Sequence, residues 1–404
     1  MPQMNFDDPD GTLAMLRDSV TGFAARHPGP KALRERRDAG GKGHWSTMAE
    51  AGWIGLLLPE QLGGAGLGMR EQAVLSEALG TALVAEPLAM ASVFASTLLA
   101  NVSPSQERER LATGMPSGDV IAAPAWQDST KPGRAVSATV KAGGFVLSGD
   151  KTFVDAAHAA SDFLVTAEDR EGCVLLSVPI NTDGLTIAER PGVDGAAIAS
   201  VSFSDCHVPA SRLLARAACS SDLVNAPIQR ARIALAAELS GVASKALELT
   251  IAYTKERVQF GKPIASFQAI QHRLVDMWTD AEFACAAVVN AVEKLEAGDA
   301  RAAQLATLAA KARAGEAAFS ICRRAIHLYG AMGFTDECDI GLYLKRAINL
   351  NATLGQPDAL RLQFVELERG KRNGKQSDQD RDQQSRRRGN DERAAGQRAV
   401  AGVR

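Results

Sequence analysis

Long apolar runs are missing from this chain. No stretch approaches the ~20 residues that a membrane-spanning helix needs, and the start MPQMNFDDPDG is acidic where an export signal is basic and then apolar. Neither a membrane partner nor export is expected. A surplus of one charge is missing too: 45 Lys and Arg face 47 Asp and Glu, for a net charge of -2. No global field attracts nucleic acid. The six cysteines, Cys173, Cys206, Cys219, Cys285, Cys322 and Cys338, lack any short paired spacing. That argues against a zinc site or a disulfide framework and fits a reducing cytoplasm. The histidines His27, His44, His158, His207, His272 and His327 have no neighbouring ligands at zinc spacing, so no metal is expected. There is no G-x-S-x-G, no P-loop and no G-x-G-x-x-G between a strand and a helix, so nucleophilic hydrolysis and phosphoryl transfer lose ground.

What is present is ordinary globular usage, 46% hydrophobic, 23% charged and 5% aromatic, over 404 residues. That length suggests two to three domains. Residues 1–118 carry helical periodicity, as in Val74, Leu75, Ala78, Leu79 and Leu83, broken by the Gly-rich QLGGAGLGMRE. Residues 119–220 change to short β-like runs, SATV and FVLS around KAGG, then DFLVTA, CVLLSVP, LTIAE and ASVSF, which predict a compact antiparallel β domain. Across 221–368 helical periods return. Phe267, Ile270, Leu274, Met277, Ala281, Cys285 and Val288 recur three or four apart, and Ala-rich helices of this length pack as a bundle. The fold class is therefore α+β, mainly α. In 369–404 there is no Leu, Ile, Phe, Tyr or Trp, and 11 Lys and Arg face 5 Asp and Glu. Such a tail cannot offset its ordering entropy and reads as disordered.

Two segments stand out chemically. In KERVQFGKPIASFQAIQHRLVDM a helix is expected to end near Phe260 and another to begin at about Ser266, a candidate N-cap. The turn between them carries Lys255, Arg257, Lys262, Gln259 and Gln268, cations and amides that suit a phosphate group at a helix N-terminus. From spacing alone a solvated helix-turn-helix is the simpler reading. In RRAIHLYGAMGFTDECDIGLYLKRA, Gly330 and Gly333 interrupt a helical pattern, which fits either a close backbone approach or a helix C-cap.

These segments, with WSTMAEAGWIGLLLPEQLGGAGLGMREQAVLSEALG and DKTFV from Asp150, occur in an order that resembles the acyl-CoA dehydrogenase family over about residues 11–368. The resemblance implies an N-terminal helical domain, a central β domain and a C-terminal four-helix bundle. It implies FAD held between the last two and contacted by a neighbouring subunit, and an acyl-CoA substrate. It also implies electron-transfer flavoprotein or another acceptor as the oxidant. By motif position Arg257, Gln259, Phe260 and Gln268 match family residues that reach a neighbour's flavin nucleotide, Arg257 at the pyrophosphate. His327, Gly330 and Ala331 match the family segment that approaches the adenosine end. Phe153 stands where an aromatic side chain lies against the flavin, and Asp155 where a threonine often touches it. Ala122 and Ala123 replace side chains of the family's Thr-Glu-Pro segment and offer only backbone groups.

The family's reaction removes a proton α to a thioester while hydride leaves the β carbon for the flavin, and a glutamate serves as base from one of two places. Here those places hold Leu354 and Ala231. Neither accepts a proton. Arg232 keeps its place beside the substrate channel with Leu354, and Asp358 is the nearest substitute carboxylate, its Cα expected ~6 Å further along one helix. The same combination of LGQPDA and RIALAAELSGVASKALELT is similar to the small subunit of pimeloyl-CoA dehydrogenase and to paired-subunit dehydrogenases of steroid side-chain thioesters. That implies an α,β-desaturating subunit whose homologous partner supplies the glutamate. The alternatives are a non-catalytic acyl-CoA-binding scaffold and a homo-oligomeric flavoenzyme using Asp358.

Overall fold

The computed structural model describes residues 1–39, 43–141 and 143–369, so the expected tail falls outside the described residues apart from its first residue. The N-terminal part comprises α1 (Thr12–Arg26), α2 (Gly29–Ala39), α3 (Trp45–Glu50) and α4 (Met69–Thr81). A π-helical turn at Ala89–Phe94 then runs into α5 (Ala95–Asn101), and α6 (Gln106–Gly114) follows. Of the periodic residues, Val74, Leu75 and Leu79 are buried on α4, while Leu83 lies past its end at φ 57°.

The central sheet contains β1 (Ala122–Ala125), β2 (Ser137–Lys141), β3 (Gly144–Asp155), β4 (Asp162–Asp169), β5 (Gly172–Pro179), β6 (Leu185–Pro191), β7 (Ala197–Pro209) and β8 (Leu213–Ala217). Its order is β6-β7-β3-β2-β4-β5-β8, with β1 beside β4. The antiparallel expectation needs one correction. β1 runs parallel to β4, and Ser137 of β2 bridges Glu168 of β4 in parallel as well. The β2–β3 hairpin is inserted between β1 and β4, so the chain returns to β1's side pointing the same way.

The C-terminal part is built from α7 (Ser220–Glu256), the ribbon β9 (Val258–Gln259) and β10 (Lys262–Pro263), α8 (Gln268–Glu296), α9 (Ala300–Tyr329), α10 (Ile340–Ala352) and α11 (357–369). Met277, Ala281, Cys285 and Val288 bury one stripe of α8 in the bundle core. α7 also packs on α4, and the crossing is made of glycine. A Cβ on Gly80 would lie 2.1 Å from the Glu238 carbonyl oxygen, and one on Gly241 2.0 Å from that of Glu77. Only backbone fits there. The contact fixes where α7 presents Arg232, Leu235 and Glu238 to the sheet. Among the described residues no helix is long and apolar enough to cross a membrane.

Candidate active site

A cavity of about 400 Å³ opens between β3 and the α7/α10 side of the bundle. Its β wall begins with a local irregularity. The β3–β7 register shifts between Lys151 and Val154, and Phe153 takes φ 55° with 64% of its surface exposed. A bulge turns a side chain out of the ladder in this way. Lys151, 1% exposed, anchors the distortion: its Nζ donates to Asp128 Oδ1 at 2.7 Å and to Trp126 O and Thr166 Oγ1 at 3.2 Å. Burial depresses its pKa, against the pull of Asp128. The Thr152 N–H donates to Gln127 O at 2.9 Å, so Trp126 and Gln127 are held beside Phe153 as part of the wall. Ala122 and Ala123 are fully buried one step back on β1.

On the bundle wall the chain breaks after α10. Leu354 adopts φ 56° and Gly355 φ 115°. Arg232 holds this turn, its Nε donating to Leu354 O at 2.9 Å and its Nη2 to Gln363 Oε1 at 3.2 Å. Desolvation lowers its pKa to about 10. Beneath it Lys311, fully buried, donates to Leu350 O at 2.9 Å and Asn351 O at 3.4 Å. These are the last carbonyls of α10, where a cation is favoured. Burial first and repulsion from Arg232 second bring Lys311 down to about 7. Ala231 is fully buried in a core cluster against which Leu354 also packs.

The positions read for the base are therefore apolar in space as in sequence. Asp358 does not take their place. The assumed single helix ends before Leu354, and Asp358 begins the next helix with its side chain 96% exposed, accepting from Arg361 Nη1 at 3.2 Å. Among the residues lining the cavity Asp155 is the one carboxylate and Arg232 the one cation. Asp155 stands on the β wall, its carboxyl pushed up to about 6 by burial, with Arg346 opposing and Asp194 reinforcing.

The other residues read as nucleotide contacts form a separate, exposed set on the bundle. α7 ends at Glu256, not near Phe260, because Val258–Gln259 pair with Lys262–Pro263 in a short hairpin. Its turn puts both Phe260 and Gly261 at positive φ, 54° and 77°, the geometry of a two-residue type I′ loop. Phe260 projects from the tip, 90% exposed. Ser266 is not the N-cap. Its Oγ donates back to Pro263 O at 2.7 Å, and Phe267 precedes α8 without a side-chain cap. Arg257, Gln259 and Gln268 are exposed around this hairpin. His327, in the last turn of α9, lines a groove with Arg323 and Arg324 of its own helix and Arg273 and Asp276 of α8. Gly330 at φ 65° ends α9, and Ala331 is exposed beside it. The sequence reading missed Arg273, Arg323 and Arg324. Arg323 and His327 are four apart on one helix face, but only the packing of α8 on α9 adds Arg273. No residue of this set lines the 400 Å³ cavity. Among the described residues no group of three or more His, Cys, Asp and Glu could hold a metal ion.

The chain has counterparts among known proteins. The family model for the acyl-CoA dehydrogenase N-terminal domain matches residues 11–119, and that for the acyl-CoA dehydrogenase C-terminal domain matches 222–363. Acyl-CoA dehydrogenase IpdE2 of Mycolicibacterium smegmatis is 31% identical over 349 residues, 85% of this chain and 94% of the relative. Benzylmalonyl-CoA dehydrogenase of Aromatoleum aromaticum is 32% identical over 356 residues, 85% and 93% of the two chains. The Tcur3481-Tcur3483 steroid ACAD variant superposes with a TM-score of 0.79 at 29% identity, covering 89% of this chain and 98% of that one. The ChsE4-ChsE5 complex from Mycobacterium tuberculosis shares the fold, with a TM-score of 0.81 at 24% identity over 90% and 98%. Matched on both sides of the sheet that carries Phe153 and Asp155, and along nearly the whole length of relatives 31% identical, the chain belongs to the acyl-CoA dehydrogenase family.

Proposed function

We propose that this chain is the base-lacking subunit of a hetero-oligomeric acyl-CoA dehydrogenase, of the small-subunit kind, and that a homologous partner supplies the catalytic glutamate for α,β-desaturation. The observation that carries the reading is the bundle wall of the cavity, where Arg232 grips a turn whose side chain is Leu354. FAD is the family's cofactor, and when bound it accepts the hydride leaving the β carbon. The residues fit it. An outward-turned Phe153 beside Trp126 offers aromatic faces for a flat ring system. The α8/α9 groove offers Arg273, Arg323 and Arg324 to a pyrophosphate. The groove and the cavity are distinct places on one chain, which supports a cofactor held across two subunits, with Arg257, Gln268 and Phe260 serving the neighbour's.

The chain's own residues bind and orient the thioester. The Leu354 turn and the half-buried Arg232 place a polarising group beside the carbonyl, which stabilises enolate-like charge in a site of low dielectric. Proton removal needs a base within hydrogen-bonding reach, and a leucine offers none. Names among the relatives and neighbours, a benzylmalonyl-CoA dehydrogenase, a steroid ACAD and a two-component complex, support a thioester substrate and a paired assembly. We place the assembly in the cytoplasm, in keeping with six unpaired cysteines. Electron-transfer flavoprotein or an equivalent acceptor reoxidises it.

The test is co-purification. Expressed alone, the chain is expected to bind CoA thioesters without bleaching its flavin, and expressed with a homologous partner it is expected to desaturate them. A chain that stays inactive with every homologous partner is a scaffold. One observation favours a second reading: Asp155 is the single carboxylate on the cavity, and burial pushes it up to about 6. Bleaching by the chain alone that is lost in Asp155→Asn would assign it the base.

A further inference from the structure

The cavity at Leu354 continues. A second cavity of about 290 Å³ adjoins it, and the two share Met90, Asp155 and Thr353. An acyl chain whose thioester lies between Arg232 and Leu354 is therefore led past Asp155 into this space. Leu88, Ala89, Leu235 and Leu350 are among the residues that give it apolar surface, and charged side chains interrupt that wall.

The charges are unequal. The cations are Arg346 and Arg36, and both are occupied. Arg346 donates to Glu238 Oε1 at 2.7 Å and 2.5 Å and to Asp194 Oδ2 at 3.0 Å, while Arg36 donates to Glu86 at 2.8 Å. Asn349 turns both its contacts, 3.0 and 2.9 Å, to Asp194. The half-buried Asp155 and the exposed Glu189 remain on the wall with no donor among the described residues, and the exposed His158 adds another titratable group. An incoming carboxylate finds no free guanidinium and meets like charge. An incoming donor finds in Asp155 a half-buried acceptor that no protein donor occupies.

We infer that this second cavity recognises the distal end of the acyl group by hydrogen-bond donation, taking hydroxyl- or ammonium-bearing chains and excluding those that end in a carboxylate. This rests on the acyl-CoA reading above and separates the substrate from the dicarboxylyl thioesters. Direct titration calorimetry at neutral pH, with the flavin-loaded chain and its partner, compares hexanoyl- and decanoyl-CoA with their ω-hydroxy, ω-amino and ω-carboxy forms. The ω-hydroxy and ω-amino forms are expected to bind at least about tenfold more tightly than the ω-carboxy form, the ratio that ~1.4 kcal/mol produces. In Asp155→Asn with Glu189→Gln the gap should shrink to about threefold or less, as ~0.6 kcal/mol would give. An ω-carboxy form that binds best, or an unsubstituted chain that binds best, overturns the inference and leaves the acyl-CoA reading standing. Failure of every thioester to bind overturns both.

Discussion

A leucine at φ 56° carries backbone strain of order 1 kcal/mol, and on the proposed function the strained residue lies where the chemistry calls for a carboxylate. Arg232 on its carbonyl and Lys311 on the end of α10 hold the turn in place. Replacing Leu354 by Glu changes the side chain without changing that support. Leu354→Glu is expected to accelerate exchange of thioester α-protons with solvent by the isolated chain by ~100-fold or more, the usual contribution of a positioned base. Nuclear magnetic resonance in D2O reads it, and an unchanged rate would mean the turn does not face the α carbon. Buried Glu77 makes a second prediction. It accepts from the Met4 N–H at 2.7 Å, yet burial outweighs that bond and Arg17, raising its carboxyl from 4.5 to about 7. A raised folded pKa contributes stability below pH 4.5 that is lost as pH climbs to about 7, a swing of about 3 kcal/mol. Denaturant unfolding as a function of pH should show the decline, and Glu77→Gln should flatten it. Lys311, lowered to about 7, acts in the opposite sense and regains stability only as pH rises from there toward 10.5.

At the scale of elements, α4 and α7 meet through Gly80 and Gly241. Gly241→Ala forces backbone apart, at a cost of about 1–3 kcal/mol by the general expense of overpacking. Because Glu238 lies one turn away on α7, the same variant should loosen its bond to Arg346. A lowered melting temperature together with weaker thioester binding is the expected pair of results, and an unchanged melting temperature contradicts the close contact. Elements also decide what could be read beforehand. Phe153, Asp155, Arg232 and Leu354 were readable because each lies in a motif whose order is preserved, and all four line one cavity. Asp358 misled because the helix assumed to carry it stops at Ala352. Ser266 misled because its hydroxyl turns back to Pro263. The second cavity was invisible in the sequence, since Arg346, Glu238 and Asp194 come from α10, α7 and the β6–β7 loop and meet only after the domains pack.

For the whole molecule, the separation of the cavity from the α8/α9 groove makes assembly part of the account. Arg257→Ala, remote from the chain's own cavity, is expected to weaken flavin binding by the assembly about tenfold or more while leaving the fold intact, the value of a charge-assisted phosphate contact. Flavin content per subunit and circular dichroism check the two halves of that statement, and unaltered flavin affinity would argue that the hairpin at Phe260 serves another purpose. The central claim is that this chain holds a thioester without the means to deprotonate it, and the most direct test is α-proton exchange of acyl-CoA in D2O with the flavin-loaded chain alone. The account predicts exchange no faster than in buffer, beginning only when a glutamate-bearing partner is added. Fast exchange by the chain alone, abolished by Asp155→Asn, would contradict it.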